Sequence, residues 1–216
     1  MNFTSIDPLR SQSIPKALVS ISDRKADDIT PVAIGATNTT IEGFGASLQP
    51  FQKLDDAFKR EIGFSPDIGV RQVTPQQCPA ITFLARLRDG AARAPRIDID
   101  KTRMRSGETV SGSIERFGNR HVELIAVQPN GQILSRPLRD GIDAKTFNLS
   151  LSLDQNFKQD SVPILLLAIV SGRKLAALDA DKLTQTAAQL FPAVIAEAAA
   201  TKQPVSVAAR YFRVER

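Results

Sequence analysis

The single cysteine and the single histidine are the residues of this chain best suited to nucleophilic chemistry. Cys78 precedes Pro79, which favours the first turn of a helix, so the pattern places the thiol at a helix N-terminus, where a thiolate is stabilised. A nucleophile also needs a base held beside it, and His121 lies in a strand pattern with no carboxylate fixed by spacing. We therefore interpret Cys78 as a buried structural thiol and His121 as a satisfied or surface histidine, and we predict no catalytic residue.

Carboxylates at alternate positions offer a second chemistry, the coordination of a hard cation. Asp98 and Asp100, and also Asp179 and Asp181, have this spacing, but neither pair is followed by the glycine and bidentate glutamate of a calcium loop. A solvent-facing strand position explains Asp98, and a helix N-cap explains Asp181. We predict no metal and no cofactor. A hydrolase that uses Asp and Glu alone stays open, and it needs two carboxylates converging in a pocket.

Arginines give a third candidate, an anion-binding face. They would meet if the last strand lay beside the hairpin of residues 121–136. The alternative is that charged side chains protect a strand edge from unwanted pairing. The predicted ligand-binding residues are Arg136, Arg139, Arg210 and Arg213, with Arg216 nearby.

Charge and motifs argue against several function classes. The 28 basic and 23 acidic residues give a net charge of +5, but they are interspersed without a long run of like charge, which disfavours nucleic-acid binding. The sequence contains no phosphate-binding loop, Rossmann glycine pattern or nucleophile elbow. One cysteine excludes an internal disulfide, and 42% hydrophobic residues in a 216-residue chain suffice for a core without one.

Targeting signals are absent from the N-terminal residues, and the longest apolar segment, 162–170, is about half a membrane span. If the chain is complete, we expect a soluble cytoplasmic protein. If it is the C-terminal part of a membrane-anchored bacterial protein, we expect a periplasmic location, which is slightly favoured.

The elements that position these residues fall into three predicted segments. Residues 1–49 are rich in Pro, Ser, Thr and Gly and predict a linker or peripheral arm. Residues 50–93 predict a helical or αβ segment that packs on the body. It contains one helix between Pro50 and Gly63 and another that starts at Pro79 and runs to residue 89.

Residues 94–216 predict the third segment, a β-sandwich with a C-terminal helix and strand. Alternating apolar residues and turn signals predict a sandwich-like antiparallel core over about 94–172, with 162–170 as a strand covered on both faces. A helix capped by Asp181 follows, with a broad apolar stripe that includes Ile195 and Ala198 and a kink or break at Pro192. Residues 205–214 predict a last strand. The predicted fold class is α+β.

Three segments carry a resemblance to a known group of proteins: Val73–Leu84, Ser106–Ile114 and Pro163–Ser171. With them, residues 68–214 resemble the C-terminal β-rich regions that follow the kinase or caspase-like domain in some alphaproteobacterial multidomain proteins. The resemblance implies a sensory or binding role beyond a membrane span. It carries over no catalytic residue, and residues 1–67 contain no kinase motif.

We therefore expect a non-catalytic binding or sensory module that recognises a protein or cell-envelope ligand through a sheet face, a loop end or the arm. The first alternative is a carboxylate-dependent hydrolase that uses neither His nor Cys. The second is a scaffold subunit of the envelope or of a secretion apparatus. The sequence leaves the oligomeric state open.

Overall fold

The computed structural model describes residues 28–34, 39–87, 94–141, 144–153, 159–179 and 185–216. The chain divides into two compact units, an N-terminal unit of residues 1–73 and a C-terminal unit of residues 74–216. The sequence placed boundaries near 49 and 93 instead. Composition is a local property, whereas the observed division follows contacts between segments that are distant along the chain.

The described residues of the N-terminal unit form a three-stranded sheet and one helix. Its elements are β1 (Asp28–Ile34), β2 (Thr39–Gly45), α1 (Gln49–Ile62) and β3 (Asp67–Gln72). β1 pairs antiparallel with β2, and β2 pairs parallel with β3 through the α1 crossover. Two stretches of the predicted linker therefore form strands. Glycine and threonine are common in loops, so the composition of these stretches suggested a linker. Only the pairing of the strands with each other shows that they form a sheet.

Helix α1 confirms the predicted spacing of apolar residues. Phe51, Leu54, Phe58 and Ile62 are buried and form a cluster with Ile41 of β2. Pro50 lies in the first turn. Gly63 ends the helix with φ +88°, and its N–H donates to the carbonyls of residues 58 and 59, each at 3.2 Å.

The C-terminal unit contains two sheets. One has the order β4 (Arg96–Ile99), β6 (Thr109–Glu115), β10 (Lys145–Ser150) and β9 (Arg139–Asp140). The other has the order β5 (Arg103–Arg105), β12 (Val205–Glu215), β11 (Ser161–Ser171), β7 (His121–Val127) and β8 (Ile133–Arg136). All neighbouring strands are antiparallel except β5 and β12, which are parallel.

The two sheets contribute to one hydrophobic cluster. Ile97, Val110 and Phe147 enter it from the four-stranded sheet, and Leu124 and Leu166 from the five-stranded sheet. All residues of β11 from 162 to 171 are buried, although successive side chains point to opposite faces, so this strand is covered on both faces as predicted. The structure confirms an α+β fold with a β-rich core; its assignment to the sandwich class stays a prediction.

The α-helices among the described residues of the C-terminal unit are α2 (Cys78–Arg86) and α3 (Ala187–Thr201). They pack together through Phe83 and Phe191, whose ring centroids lie 4.7 Å apart, and α2 also contacts β12. None of the described helices has the length and apolar character required to cross a membrane.

The start of α3 corrects the predicted cap. The helix begins after Thr186, which forms a capping box with Gln189. The predicted cap, Asp181, lies outside the described residues. The helix continues through Pro192 without a break. Proline removes one backbone donor, but the packed apolar residues on either side hold the helix together.

Candidate functional site

Cys78 lies at the N-terminus of α2, as predicted. Its side chain is half-buried rather than buried, and its Sγ lies 3.7 Å from the Thr74 carbonyl oxygen.

His121 has a carboxylate partner that the sequence analysis missed. Its Nε2 lies 2.7 Å from Oε1 of Glu123, two residues along β7. Alternation along a strand puts both side chains on one face, so the spacing could have indicated the pair. Ser171 stands opposite His121 on β11, which brings together the residue types of a Ser–His–acid triad. However, the Ser171 hydroxyl donates to the Arg173 carbonyl at 2.7 Å and the residue is only 1% exposed, so it cannot serve as a nucleophile here.

The aspartates considered as cation ligands have other partners. Asp98 lies 2.8 Å from Nε of Arg96 and 4.0 Å from the Arg210 guanidinium. Asp100 accepts a hydrogen bond from the backbone N–H of Ser111 at 2.9 Å. Asp179 pairs with a lysine, and Asp181 is not described. The described part of the chain contains no group of three or more His, Cys, Asp or Glu residues placed to hold a metal.

The strand order divides the four arginines predicted as a ligand-binding face into Arg210 and Arg213 on β12 and Arg136 and Arg139 at the ends of β8 and β9. β12, which carries Arg210 and Arg213, is separated from β8 and Arg136 by β11 and β7, and Arg139 belongs to the other sheet. The condition for the predicted face, a last strand beside the hairpin, is therefore not met. The guanidinium of Arg213 donates to both oxygens of Ser161 and to the Tyr211 hydroxyl at 2.7–3.0 Å.

An apolar groove of about 510 Å³ lies between the C-terminal ends of α2 and α3. It was not predicted, because its walls come from segments more than 100 residues apart. Among the described residues, the only charged one that lines it is Lys202. The lining residues are Phe83, Leu87, Val194, Ile195, Ala198, Ala199, Lys202, Gln203, Pro204 and Val205.

The outer face of α3 continues this apolar surface. Glu197 is the only charged residue within the helix, and its carboxylate accepts two backbone hydrogen bonds, from Ala176 and Ala177, each at 2.8 Å. A surface helix normally carries charged residues on its solvent side, and a helix without them is typically covered. The exposed residues of α3 outside the capping turn are Pro192, Ala193, Ala196, Ala199 and Ala200.

Two polar groups stand at the end of the groove. Lys202 is exposed and ends α3 with a left-handed backbone, φ +51°. The side-chain Oε1 of Gln203 accepts the Arg173 N–H at 3.0 Å, while its buried Nε2 finds no hydrogen-bond partner among the described residues. The groove thus combines an apolar floor with a cation and an unused amide donor.

A second groove, of about 360 Å³, lies within the N-terminal unit between α1 and β3. Ile68 and Val70 of β3 form one wall, and Leu48, Phe51 and Asp55 contribute to the other. Hydrogen bonding with Lys59 lowers the pKa of the Asp55 carboxyl. Among the described lining residues, neither groove brings two carboxylates together.

Comparison with known proteins gives no assignment: no protein-family model and no curated protein matches the chain.

Proposed function

We propose that the chain is a non-catalytic binding module that recognises an amphipathic helix of a protein partner in the groove between α2 and α3. The observation that carries the proposal is the apolar lining of this groove, in which Lys202 is the one charged residue that the structure describes. A helix laid in such a groove would insert apolar side chains at positions i, i+3 or i+4, and i+7. We propose this surface in place of a sheet face, a loop end or the arm; the strand β11, at the centre of the five-stranded sheet, is buried on both faces.

The alanines of α3 favour a helical partner. Small side chains such as Ala196 and Ala199 allow a second helix to approach closely, and distances between packed helix axes depend on the residues at the contact. A partner helix would also remove the uncharged outer face of α3 from water.

Charge complementarity favours an acidic partner. Arg86 in the last turn of α2 and Lys202 at the end of α3 are the cations of the helix pair, and Glu197 is engaged with backbone N–H groups. A carboxylate on the partner helix would be attracted to Lys202. The resemblance to bacterial sensory regions is compatible with this role and stays a prediction.

A display selection with a library of 16-residue helical peptides against the full chain tests the proposal. We expect selected peptides to carry apolar residues at helical spacing and at least one Asp or Glu. Ala199→Glu places a charge in the groove and should weaken binding at least about tenfold. Ala188→Glu is the matched control, since Ala188 is exposed in the capping turn of the same helix and lies outside both the groove and the outer face. Selected peptides without this pattern, or equally weakened by both variants, would contradict the proposal.

A further inference from the structure

The outer edge of β3 is open among the described strands, since β3 pairs only with β2. The Val73 N–H donates to the Gly45 carbonyl at 3.1 Å, so odd-numbered residues direct their backbone groups toward β2. Backbone groups alternate in direction along a strand. The N–H and C=O groups of Ile68 and Val70 therefore point to the outer edge.

The same two residues present apolar side chains beside that edge. Ile68 and Val70 are half-buried and line the smaller groove with Leu48, which is 54% exposed and is the large hydrophobic residue most open to solvent in the described part of the chain. Edge strands are commonly protected by lysine, proline or a bulge. The strand Asp67–Gln72 contains neither lysine nor proline, and it pairs with β2 in continuous register, without a bulge.

The sequence of β3 is complementary to itself in one antiparallel register. With Gly69 on a two-fold axis, Ile68 of one copy lies opposite Val70 of the other. The backbone N–H and C=O groups of both residues point to the outer edge, so the two equivalent pairs would exchange four backbone hydrogen bonds. Asp67 of each copy then lies opposite Arg71 of the other, and opposite charges directly across a strand pair stabilise it.

We infer that this edge binds a second copy of the chain through antiparallel β3–β3 pairing. Charge complementarity identifies the occupant, because both Asp67–Arg71 pairs form only when β3 meets its own sequence in this register. Arg71 already binds Glu42 of its own chain at 2.9 Å, so Asp67 of the second copy would extend an existing ion pair. The inference concerns the N-terminal unit and is independent of the proposed helix-binding groove.

Sedimentation equilibrium of the full chain tests the inference. The average mass should rise with concentration from 23.5 kDa toward twice that value. Asp67→Arg creates Arg–Arg pairs across the axis and Arg71→Asp creates Asp–Asp pairs, so each variant alone should associate at least about tenfold more weakly than the wild type.

An equimolar mixture of the two variants should regain association as a heterodimer. The first variant carries arginine at both of these strand positions and the second carries aspartate at both, so every cross-strand pair in the heterodimer joins opposite charges. The mixture also separates lost pairing from lost folding, because a misfolded variant cannot be rescued by another chain.

Three results would overturn the inference: a wild-type chain that stays monomeric into the high-micromolar range, an Asp67→Arg variant that associates as strongly as the wild type, or a mixture no stronger than its components. Each of these leaves the peptide-binding assay unaffected, so failure here is distinguishable from failure of the proposed function.

Discussion

The buried amide of Gln77 provides a sharp test of how the C-terminal unit is held together. Its side chain is fully buried. The Nε2 group donates to the carbonyls of Val127 at 2.9 Å and Pro163 at 3.0 Å, and Oε1 accepts the Thr74 N–H at 3.1 Å. One side chain thus joins the segment before α2 to β7 and β11. Gln77→Met keeps a similar volume and removes all three hydrogen bonds.

The expected loss in the free energy of unfolding depends on which polar groups lose their only hydrogen-bond partner. β7 pairs with β11 as far as Val127 opposite Leu165, so no described strand faces the Pro163 carbonyl on that side. An orphaned buried carbonyl costs about 1–3 kcal/mol, and each of the other two hydrogen bonds contributes about 0.5–1.5 kcal/mol. Gln77→Met should therefore lower the free energy of unfolding by about 2–6 kcal/mol. With a urea m-value of about 2 kcal/mol/M, the midpoint should fall by roughly 1–3 M.

Urea unfolding monitored by tyrosine fluorescence is the suitable assay, because the only tyrosine, Tyr211, lies on β12 of this unit. Gln76→Met is the matched control: it makes the same change one residue earlier, at an exposed position. Gln77→Glu should make the stability depend on pH. An ionised carboxylate at this position faces two carbonyl oxygens and is repelled by them, so the folded state raises the pKa of the introduced glutamate. That variant should gain stability as the pH falls. If the midpoints of Gln77→Met and Gln76→Met coincide, the reasoning is refuted.

Two further changes test local features. Gly112→Ala places a Cβ against the Asp98 carbonyl and the Phe147 ring, so it should destabilise the C-terminal unit by about 1–3 kcal/mol in the same urea assay. Gly172→Ala is the control and should change the stability little, because its Cβ would meet only the Gln203 Oε1 at 3.5 Å. Equal effects of the two substitutions would contradict this account. Asp55→Asn removes the 2.7 Å ion pair with Lys59. Hydrogen bonding between the two side chains lowers the pKa of Asp55 below its ordinary 3.8 and raises that of Lys59 above 10.5. The ion pair therefore stabilises α1 at pH values between these two pKa values. Its contribution is lost as the pH falls through the lowered pKa of Asp55. Amide hydrogen exchange in α1 should be faster in the variant at pH 7 and equal in both proteins once Asp55 is protonated; a difference that persists there would contradict the assignment.

Helices and turns whose caps and apolar spacing lie within a short stretch of the chain could be predicted from the sequence. The spacing from Phe51 to Ile62, ended by Gly63, defines α1 because capping and amphipathicity act within the helix itself. The hairpin of residues 121–136 was predicted for the same reason: β7 pairs with β8, and Gly131 in the turn between them has φ +81°.

The candidate groove could not be predicted, because it depends on contacts between distant segments. Ile195 and Ala198 were assigned to the apolar stripe of a helix, but apolarity alone does not distinguish a core position from a groove wall. The positions of the four arginines relative to one another could not be predicted for a similar reason. Periodicity identified β12 as a strand, but it carries no information about whether β12 lies beside β8 or beside β11.

Pro163 shows how one long-range contact resolves an apparent conflict in the sequence. Proline in a central strand removes a ladder donor, and it normally argues against such an assignment. In β11 the backbone of residue 163 points to the side where β7 has already ended, so the missing N–H has no strand to meet. Only the carbonyl then requires a partner, and the Gln77 amide supplies it. A polar residue in the Thr74–Gln77 turn thus makes an apolar, proline-containing strand compatible with the centre of the sheet, and neither residue is explained without the other.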